Sequence, residues 1–281
     1  MESVLKWVGG KRQLLGYLLP IIQSKLNGYN RYYEPFVGGG SVAFALEYNN
    51  TIINDLNSEL INTYKMIKEN PKLLTYLLTI HENNHYSDSN YFYEVRQIDR
   101  LKDYKNVSDV VKASRFIYLN KTCYNGLYRV NSIGEFNTPF GRYKNPNIVN
   151  EVGLRAVSKY FNEADITFLS GDFESTVKGI KKGSVVYFDP PYAPVSKTSN
   201  FTGYNESGFG EEEQKRLKRL CDRLTDKKVN ILLSNSDCEF IRELYGDSEK
   251  YQIISVKAKR AINSNGNSRG EIGEVLIKNN V

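Results

Sequence analysis

Apolar positions along this chain follow two rhythms, short unbroken runs and a three-to-four spacing, and their alternation predicts strands interleaved with helices. Unbroken runs mark strands at 31–34, 51–54, 166–169, 184–188 and 229–233, with a terminal pair at 253–256 and 274–278. Helical spacing falls over 13–23, 42–48, 57–68, 71–80, 91–101, 110–120, 150–161, 211–224 and 239–245. The fold class is therefore α/β. Between 71 and about 120 no strand period interrupts the helices, which is too long for an ordinary connection and reads as a helical insertion, a candidate target-recognition region.

The run at 184–188 ends without a polar break in Asp189, Pro190, Pro191 and Tyr192. Two prolines fix two φ angles, so the Asp189 carboxylate and the Pro190 carbonyl are presented stiffly. An acceptor pair beside an aromatic ring suits a flat amine; a strand stopped by a proline loop is the plain alternative. At 35–41 a glycine-rich turn, with Phe36, Gly38, Gly39 and Gly40, joins a strand to a helix as in nucleotide-binding units. It has neither the G-x-G-x-x-G spacing nor the Lys-Ser/Thr ending of a P-loop. Asp55 follows Gly38 by 17 residues at the tip of the second strand, where a carboxylate serves ribose hydroxyls or caps the helix 57–68. Asp172 and Phe173, at another strand tip, suit an adenine ring, with an N-cap as the alternative role for Asp172. In the opening segment, Lys6, Trp7, Gly9, Gly10 and Lys11 place cations and an indole around a glycine pair. They serve an anionic partner or simply pack the arm against the core.

Composition changes this picture little. Among 281 residues 40% are hydrophobic and 25% charged, ordinary for a globular chain, while 21 tyrosines and 13 phenylalanines make it aromatic-rich. A net charge of +6 is compatible with a phosphate-facing surface. Cys123, Cys221 and Cys238 form no CxxC pair, which argues for a reducing compartment. No apolar run reaches membrane-spanning length and no signal segment opens the chain, so a soluble, cytoplasmic protein is expected, with no obligate protein partner evident. His81, Glu82 and His85 fit the H-E-x-x-H zinc template, but the apolar pattern ends there in Asn83 and Asn84. His85 is expected in a fraying end or turn, and no metal is assigned. Over 120–147, Tyr124, Tyr128, Phe136, Phe140 and Tyr143 interleave with Lys121, Arg129, Arg142 and Lys144. Either a nucleic-acid reader or a surface hairpin accounts for that mixture. The loop 193–210, with Lys197, Asn200, Phe201, Tyr204 and Phe209, has the length of a lid. Lys257, Lys259, Arg260 and Arg269 in a late connector are placed to touch a phosphate backbone.

LKWVGGK (5–11), EPFVGGGS (34–41), NDLNSELI (54–61), NKTCYNGLYRVNSIGEFNTPFGRYKNP (120–146), DPPYAP (189–194), LSNSD (233–237) and KRAINSNGNSRG (259–270) together resemble the Dam-like DNA adenine-N6 methyltransferases. The resemblance spans nearly the whole chain. It implies a Rossmann-like S-adenosylmethionine-dependent core, 1–56 and 148–281, around a DNA target-recognition region, 57–147, with a hairpin at 120–147. It implies methyl transfer to adenine N6 in double-stranded DNA, at GATC, with the base flipped out and S-adenosylhomocysteine as product, and hence a DNA-associated protein. Carried over, Trp7, Lys11, Phe36, Gly38, Gly40, Asp55, Asp172, Phe173 and Asp189 are cofactor positions. Asp189, Pro190 and Tyr192 are catalytic, and Lys6, Tyr124, Asn125, Leu127, Arg129, Pro139 and Arg142 meet DNA. Ser234 to Asp237 departs from the family's acidic tetrapeptide and is left out of the site. Adenine methylation at another sequence or on RNA, cytosine-N4 methylation, and a non-catalytic DNA-binding role are the alternatives.

Overall fold

The computed structural model describes residues 1–88, 90–195, 208–246, 249–259 and 271–281. Its strands are β1 (Tyr32–Glu34), β2 (Asn50–Asp55), β3 (Asp165–Ser170), β4 (Val185–Phe188), β5 (Asn230–Ser236), β6 (Tyr251–Lys259) and β7 (Glu271–Asn279). The sheet order is β3-β2-β1-β4-β5-β7-β6. β1 runs parallel to β2 and β4, and β4 parallel to β5, while β7 is antiparallel to β5 and β6. The part β3-β2-β1-β4-β5 is the doubly wound, Rossmann-like order, whose direction reverses between β1 and β4. Ligands of such sheets bind beyond the carboxyl ends of the strands at that reversal. β4 is buried at every position, as a central parallel strand covered on both faces must be, hence its unbroken apolar run.

The helices are α1 (Leu15–Gln23), α2 (Ser41–Leu46), α3 (Ser58–Glu69), α4 (Pro71–Ser87), α5 (Tyr91–Gln97), α6 (Asp109–Thr122), α7 (Glu151–Glu163), α8 (Phe173–Thr176), α9 (Glu211–Asp226) and α10 (Glu239–Gly246). The chain divides into two units. One comprises Met1–Lys11, Val37–Asn49 and Asn54–Gly171, the other Arg12–Phe36, Asn50–Ile53 and Asp172–Val281. In the first, α6 is the axis: Phe116, Ile117, Tyr118 and Leu119 are all buried, so its apolar surface wraps round the helix rather than striping it. α3, α4 and α5 pack on it. In the second, α9 buries Leu217, Leu220 and Leu224 and carries three acids in its first turn, where the helix dipole favours them.

One sequence expectation and one alternative reading need correction. α4 continues through His85 to Ser87, so both histidines lie on an intact helix. Packing overrides the weak propensity of Asn83 and Asn84: the His81 ring stacks on Tyr118 at 4.8 Å, and His85 meets Phe140 at 5.7 Å. Their nitrogens are engaged by hydroxyls, His81 Nδ1 with Tyr91 at 2.8 Å and Nε2 with Ser114 at 3.3 Å, His85 Nδ1 with Tyr118 at 3.0 Å. The cap of α3 is Asn57, whose side chain accepts from the Leu60 amide, and not Asp55. No helix among the described residues is long and apolar enough to cross a membrane.

Candidate active site

At the end of β4 the chain turns through Asp189-Pro190-Pro191-Tyr192, and neighbouring elements of the same unit hold each part of that turn. The register pairs Phe188 with Leu233, which puts Ser234 of β5 beside Asp189. The Ser234 hydroxyl donates to Asp189 Oδ1 at 2.9 Å and lies 2.9 Å from the Tyr187 hydroxyl. Having spent its one proton on the carboxylate, Ser234 must accept from Tyr187. Burial, reinforced by the Asp189 charge, drives the Tyr187 phenol well above its ordinary range, so it remains the donor. The relay runs from Tyr187 through Ser234 to Asp189 and fixes the carboxylate as an acceptor.

The prolines remove donors, and side chains meet two of the turn's other backbone groups. Gln214 Nε2 of α9 donates to the Pro191 carbonyl at 2.8 Å. Asn235 Oδ1 accepts from the Ala193 amide at 3.0 Å, and its amide donates to Gln214 Oε1 at 3.1 Å. Tyr192 donates its hydroxyl to Glu274 Oε2 of β7 at 2.9 Å, anchoring the ring at its far end. Phe36, just past β1, stacks on Phe173 at 5.3 Å and meets Phe188 and Phe209 edge-on at 6.4 and 5.6 Å. Asp172 caps α8 through the Glu174 amide at 2.9 Å and also accepts from Arg216 at 2.5 Å. The Arg216 guanidinium in turn lies 4.6 Å from the centre of the Phe173 ring. Asp172 thus fills the capping role and an ion pair together.

The other unit carries the glycine turn. Gly38 and Gly40 have φ of +47° and +71°, which glycine adopts without strain. The turn also admits no side chain: a Cβ at Gly38 would stand 2.6 Å from Trp7 Nε1, and one at Gly40 2.5 Å from Phe44. Asp55 accepts from the Gly38 amide and the Asn57 amide, both at 3.0 Å, and Tyr64 donates to the Gly38 carbonyl at 2.6 Å. Burial raises the Asp55 carboxyl against the opposing pull of those amides. Lys11 is buried and donates to the Gly9 carbonyl at 2.6 Å, so its cation is drawn onto its own glycine pair.

In the same unit, 120–147 folds back on itself with two isolated antiparallel bridges, Cys123 to Phe140 and Val130 to Phe136. Tyr124, Arg129, Pro139 and Arg142 are exposed on it, and Asn125 and Arg142 adopt φ of +55° and +52°. The Asn125 amide donates to the Tyr143 hydroxyl at 2.9 Å, and the Leu127 carbonyl accepts from Thr138 at 2.6 Å. Arg129 donates to Asn137 at 3.0 Å. Lys6 reaches the Lys121 carbonyl at 3.2 Å and lies 3.8 Å from the centre of the Tyr143 ring. Within one unit the fold therefore gathers Trp7, Gly38, Gly40 and Asp55, and within the other Phe36, Phe173 and the Asp189 turn. Lys197, Asn200, Phe201 and Tyr204 of the lid-length loop lie outside the described residues, as do Arg260, Arg269 and the side chains of Lys257 and Lys259.

The residues that sequence reasoning passed over are those that hold the turn. Ser234 and Asn235 had been set aside, and Gln214 and Glu274 carry no motif; the one available signal was the clustering of Ser234 and Asn235 at a strand tip.

Residues 7–262 match the family of D12 class N6 adenine-specific DNA methyltransferases. The chain is 43% identical over 279 residues to the type II methyltransferase M1.LlaDCHI of Lactococcus lactis subsp. cremoris, covering 99% of this chain and 95% of that protein. It is 41% identical over 292 residues to the type II methyltransferase M.MjaIII of Methanocaldococcus jannaschii, covering 99% of each. With the DNA adenine methylase of Escherichia coli K12 it shares 34% identity over 288 residues, 98% of this chain and 94% of that protein.

Proposed function

The chain belongs to the D12 class N6 adenine-specific DNA methyltransferase family, and we propose that it methylates adenine in double-stranded DNA at GATC, with S-adenosylmethionine as donor and the base flipped out. The observation that carries the mechanism is the relay from Tyr187 through Ser234 to Asp189, which holds a carboxylate oxygen as an acceptor at the end of the central strand. Adenine's exocyclic nitrogen is a poor nucleophile because its lone pair is delocalised into the ring. Asp189 and the Pro190 carbonyl accept its two N–H bonds, which localises the pair toward the incoming methyl. Tyr192, tethered through its hydroxyl to Glu274, offers its ring face for stacking on the base.

The donor fits the residues present. A tight glycine turn at Gly38 to Gly40 and a fixed carboxylate at Asp55 are what an amino-acid and ribose ligand asks of a protein. Trp7, Lys11, Phe36, Asp172, Phe173 and Asp189 complete the proposed cofactor set. The donor supplies a methyl already activated on a sulfonium, so positioning and electrostatics suffice at the adenine. Of the DNA positions, exposed Tyr124 is suited to fill the gap left by the flipped base. Arg129 and Arg142 are suited to guanine edges, and Lys6, Asn125, Leu127 and Pro139 complete the contact surface. Similarity to proteins named type II methyltransferases favours a modification role paired with a restriction enzyme.

Expression in a methylation-free host, followed by mapping of modified bases, tests the reading. N6-methyladenine confined to GATC is expected; a different motif replaces the specificity alone, and methylcytosine or unmodified DNA overturns the function. Asp189→Ala should abolish transfer of tritiated methyl while DNA affinity stays within about threefold, a change of less than 1 kcal/mol. Near-normal activity of that variant would refute the role of the carboxylate.

A further inference from the structure

Asn120, at the end of α6, is fully buried, and its side-chain amide is engaged on both ends. Its Oδ1 accepts from the Lys6 amide at 2.9 Å, and its Nδ2 donates to the Lys6 carbonyl at 2.6 Å, as a neighbouring strand would. The same Nδ2 donates to the Gly126 carbonyl at 3.3 Å. One side chain therefore binds both the N-terminal arm and the loop carrying Tyr124, Asn125 and Leu127. The two segments also touch directly, because a Cβ at Gly126, where φ is +65°, would stand 2.5 Å from the Lys6 Cβ. Tyr143 adds a second tie, with the Lys6 ammonium 3.8 Å from its ring centre and its hydroxyl accepting from the Asn125 amide at 2.9 Å.

The arm's other contacts lead to the glycine turn. Trp7 follows Lys6 and covers Gly38 and Gly39: a Cβ at Gly38 would meet the indole nitrogen at 2.6 Å and one at Gly39 the Trp7 Cβ at 2.7 Å, and Ser3 donates to the Gly39 carbonyl. Trp7 also stacks on Phe116, one turn before Asn120 on the same helix, with ring centres 6.4 Å apart. A displacement of the indole is thus felt at Lys6, and one at Lys6 is felt through Asn120 at the loop. A buried, fully bonded amide allows little slack, since each broken bond would leave a peptide group unpaired.

Resting on the methyltransferase reading, in which Trp7 serves the donor and the loop serves DNA, we infer that Asn120 is a positioning residue that couples occupancy of the cofactor turn to recognition of the target. Ligand at Gly38 to Gly40 sets the indole, the indole sets Lys6, and Asn120 passes that placement to Tyr124 through Leu127. The coupling is reciprocal, so the correct duplex tightens the cofactor by the factor with which the cofactor tightens the duplex.

Trp7 is the chain's one tryptophan, so its fluorescence reports the arm without reference to activity. S-adenosylhomocysteine is titrated into the protein alone and into its complex with a short duplex that the protein methylates. Calorimetry repeats both titrations. The wild-type ratio of the two affinities is expected to be roughly 5- to 150-fold, the usual span of coupling between sites. Asn120→Ala should bring that ratio to within about twofold of unity. A merely structural amide predicts otherwise: both affinities weaken and their ratio stays, which overturns the inference, as does a wild-type ratio of one. Should Asn120→Ala not fold, Tyr143→Phe keeps the ring beneath Lys6 and removes only the tie to Asn125. It should lower the ratio by about threefold or more, and an unchanged ratio again overturns the inference. A wild-type protein that binds no S-adenosylhomocysteine removes the methyltransferase reading itself, an outcome distinct from loss of the ratio.

Discussion

Replacing Ser234 by alanine removes the one hydroxyl that joins Tyr187 to Asp189, and it should slow methyl transfer without altering any residue assigned to contact DNA or donor. The side chain is fully buried, and both of its hydrogen bonds measure 2.9 Å. A hydrogen bond to a charged group contributes about 1.5–3 kcal/mol, and a buried hydroxyl left without an acceptor costs about 1–3 kcal/mol. The first quantity releases the Asp189 carboxylate to rotate; the second is borne by Tyr187 as lost stability. If the orientation of Asp189 matters mainly when the amine's lone pair is being localised, the first quantity appears in kcat, as a loss of roughly 10- to 100-fold. Steady-state transfer of tritiated methyl to duplex DNA measures it, with thermal melting run in parallel. Tyr187→Phe leaves the Ser234 donation intact and should cost less in rate, and in the double variant the two losses should fail to add. A Ser234→Ala protein that melts earlier yet keeps kcat within twofold would refute the relay as a catalytic device.

Arg129→Ala or Arg142→Ala should relax discrimination at one guanine by about 1–3 kcal/mol, measured as relative kcat/KM on duplexes altered one base pair at a time. Equal losses on every sequence would instead mark that arginine as a phosphate contact. Gly38→Ala would drive a Cβ to 2.6 Å from the indole, at a φ of +47° that alanine disfavours; a shifted Trp7 emission and weaker S-adenosylhomocysteine binding are expected, and unchanged emission would show that the turn relaxes away from the indole. Burial holds His81 down to about 4 against an ordinary 6.5. Its folded-state value is depressed, so the unfolded chain takes up a proton that the native one refuses, and stability falls as pH drops from 6.5 toward 4. The loss reaches at most about 3 kcal/mol at one pKa unit per 1.36 kcal/mol; denaturant melts at pH 7 and 5 should show His81→Gln losing less than wild type, and equal slopes would remove His81 as the cause.

The parts of the site legible in the sequence are those whose signal is local. The run Val185 to Phe188 could only be a strand buried on both faces, and the adjoining prolines could only stop it. The glycine turn was equally plain, since the conformations of Gly38 and Gly40 need glycine. Pairings between distant residues were not legible. Ser234 stands 45 positions from Asp189 and reaches it only through the register of β4 with β5. Asp55 and Asn57 were interchangeable as caps on sequence grounds, because both side chains accept hydrogen bonds two or three residues onward. The extra helical turns through His85 came from Tyr118, on which the His81 ring stacks and whose hydroxyl meets His85 across 33 positions of sequence.

The proposed recognition loop shows how such distant pairings supply what the loop itself lacks. Between Tyr124 and Arg142 it has a few backbone hydrogen bonds, two isolated bridges and four residues at positive φ, so its own backbone does not rigidify it. It is fastened instead to the helices beneath. Tyr128 donates to Glu59 of α3 at 2.7 Å, beside the Tyr104 hydroxyl at 2.5 Å, and the Phe136 amide donates to Asp99 at 2.7 Å. Arg115 of α6, 1% exposed, ties the two carboxylates together, 2.7 Å from Asp99 and 3.8 Å from Glu59. Removing one member of such a buried ionic group leaves the others uncompensated, at about 3–5 kcal/mol. That cost would be poor value for stability alone, since an apolar core of the same volume would hold the helices as well. Its distinctive effect is directional: hydrogen bonds fix where Tyr128 and Phe136 sit, and Arg129 and Asn137, adjacent to them and bonded at 3.0 Å, inherit that placement. Glu59 stands four residues beyond Asp55. The strand tip that carries Asp55, the proposed cofactor carboxylate, thus runs directly into the helix turn that holds the loop, and a single local segment, NDLNSE, supplies both.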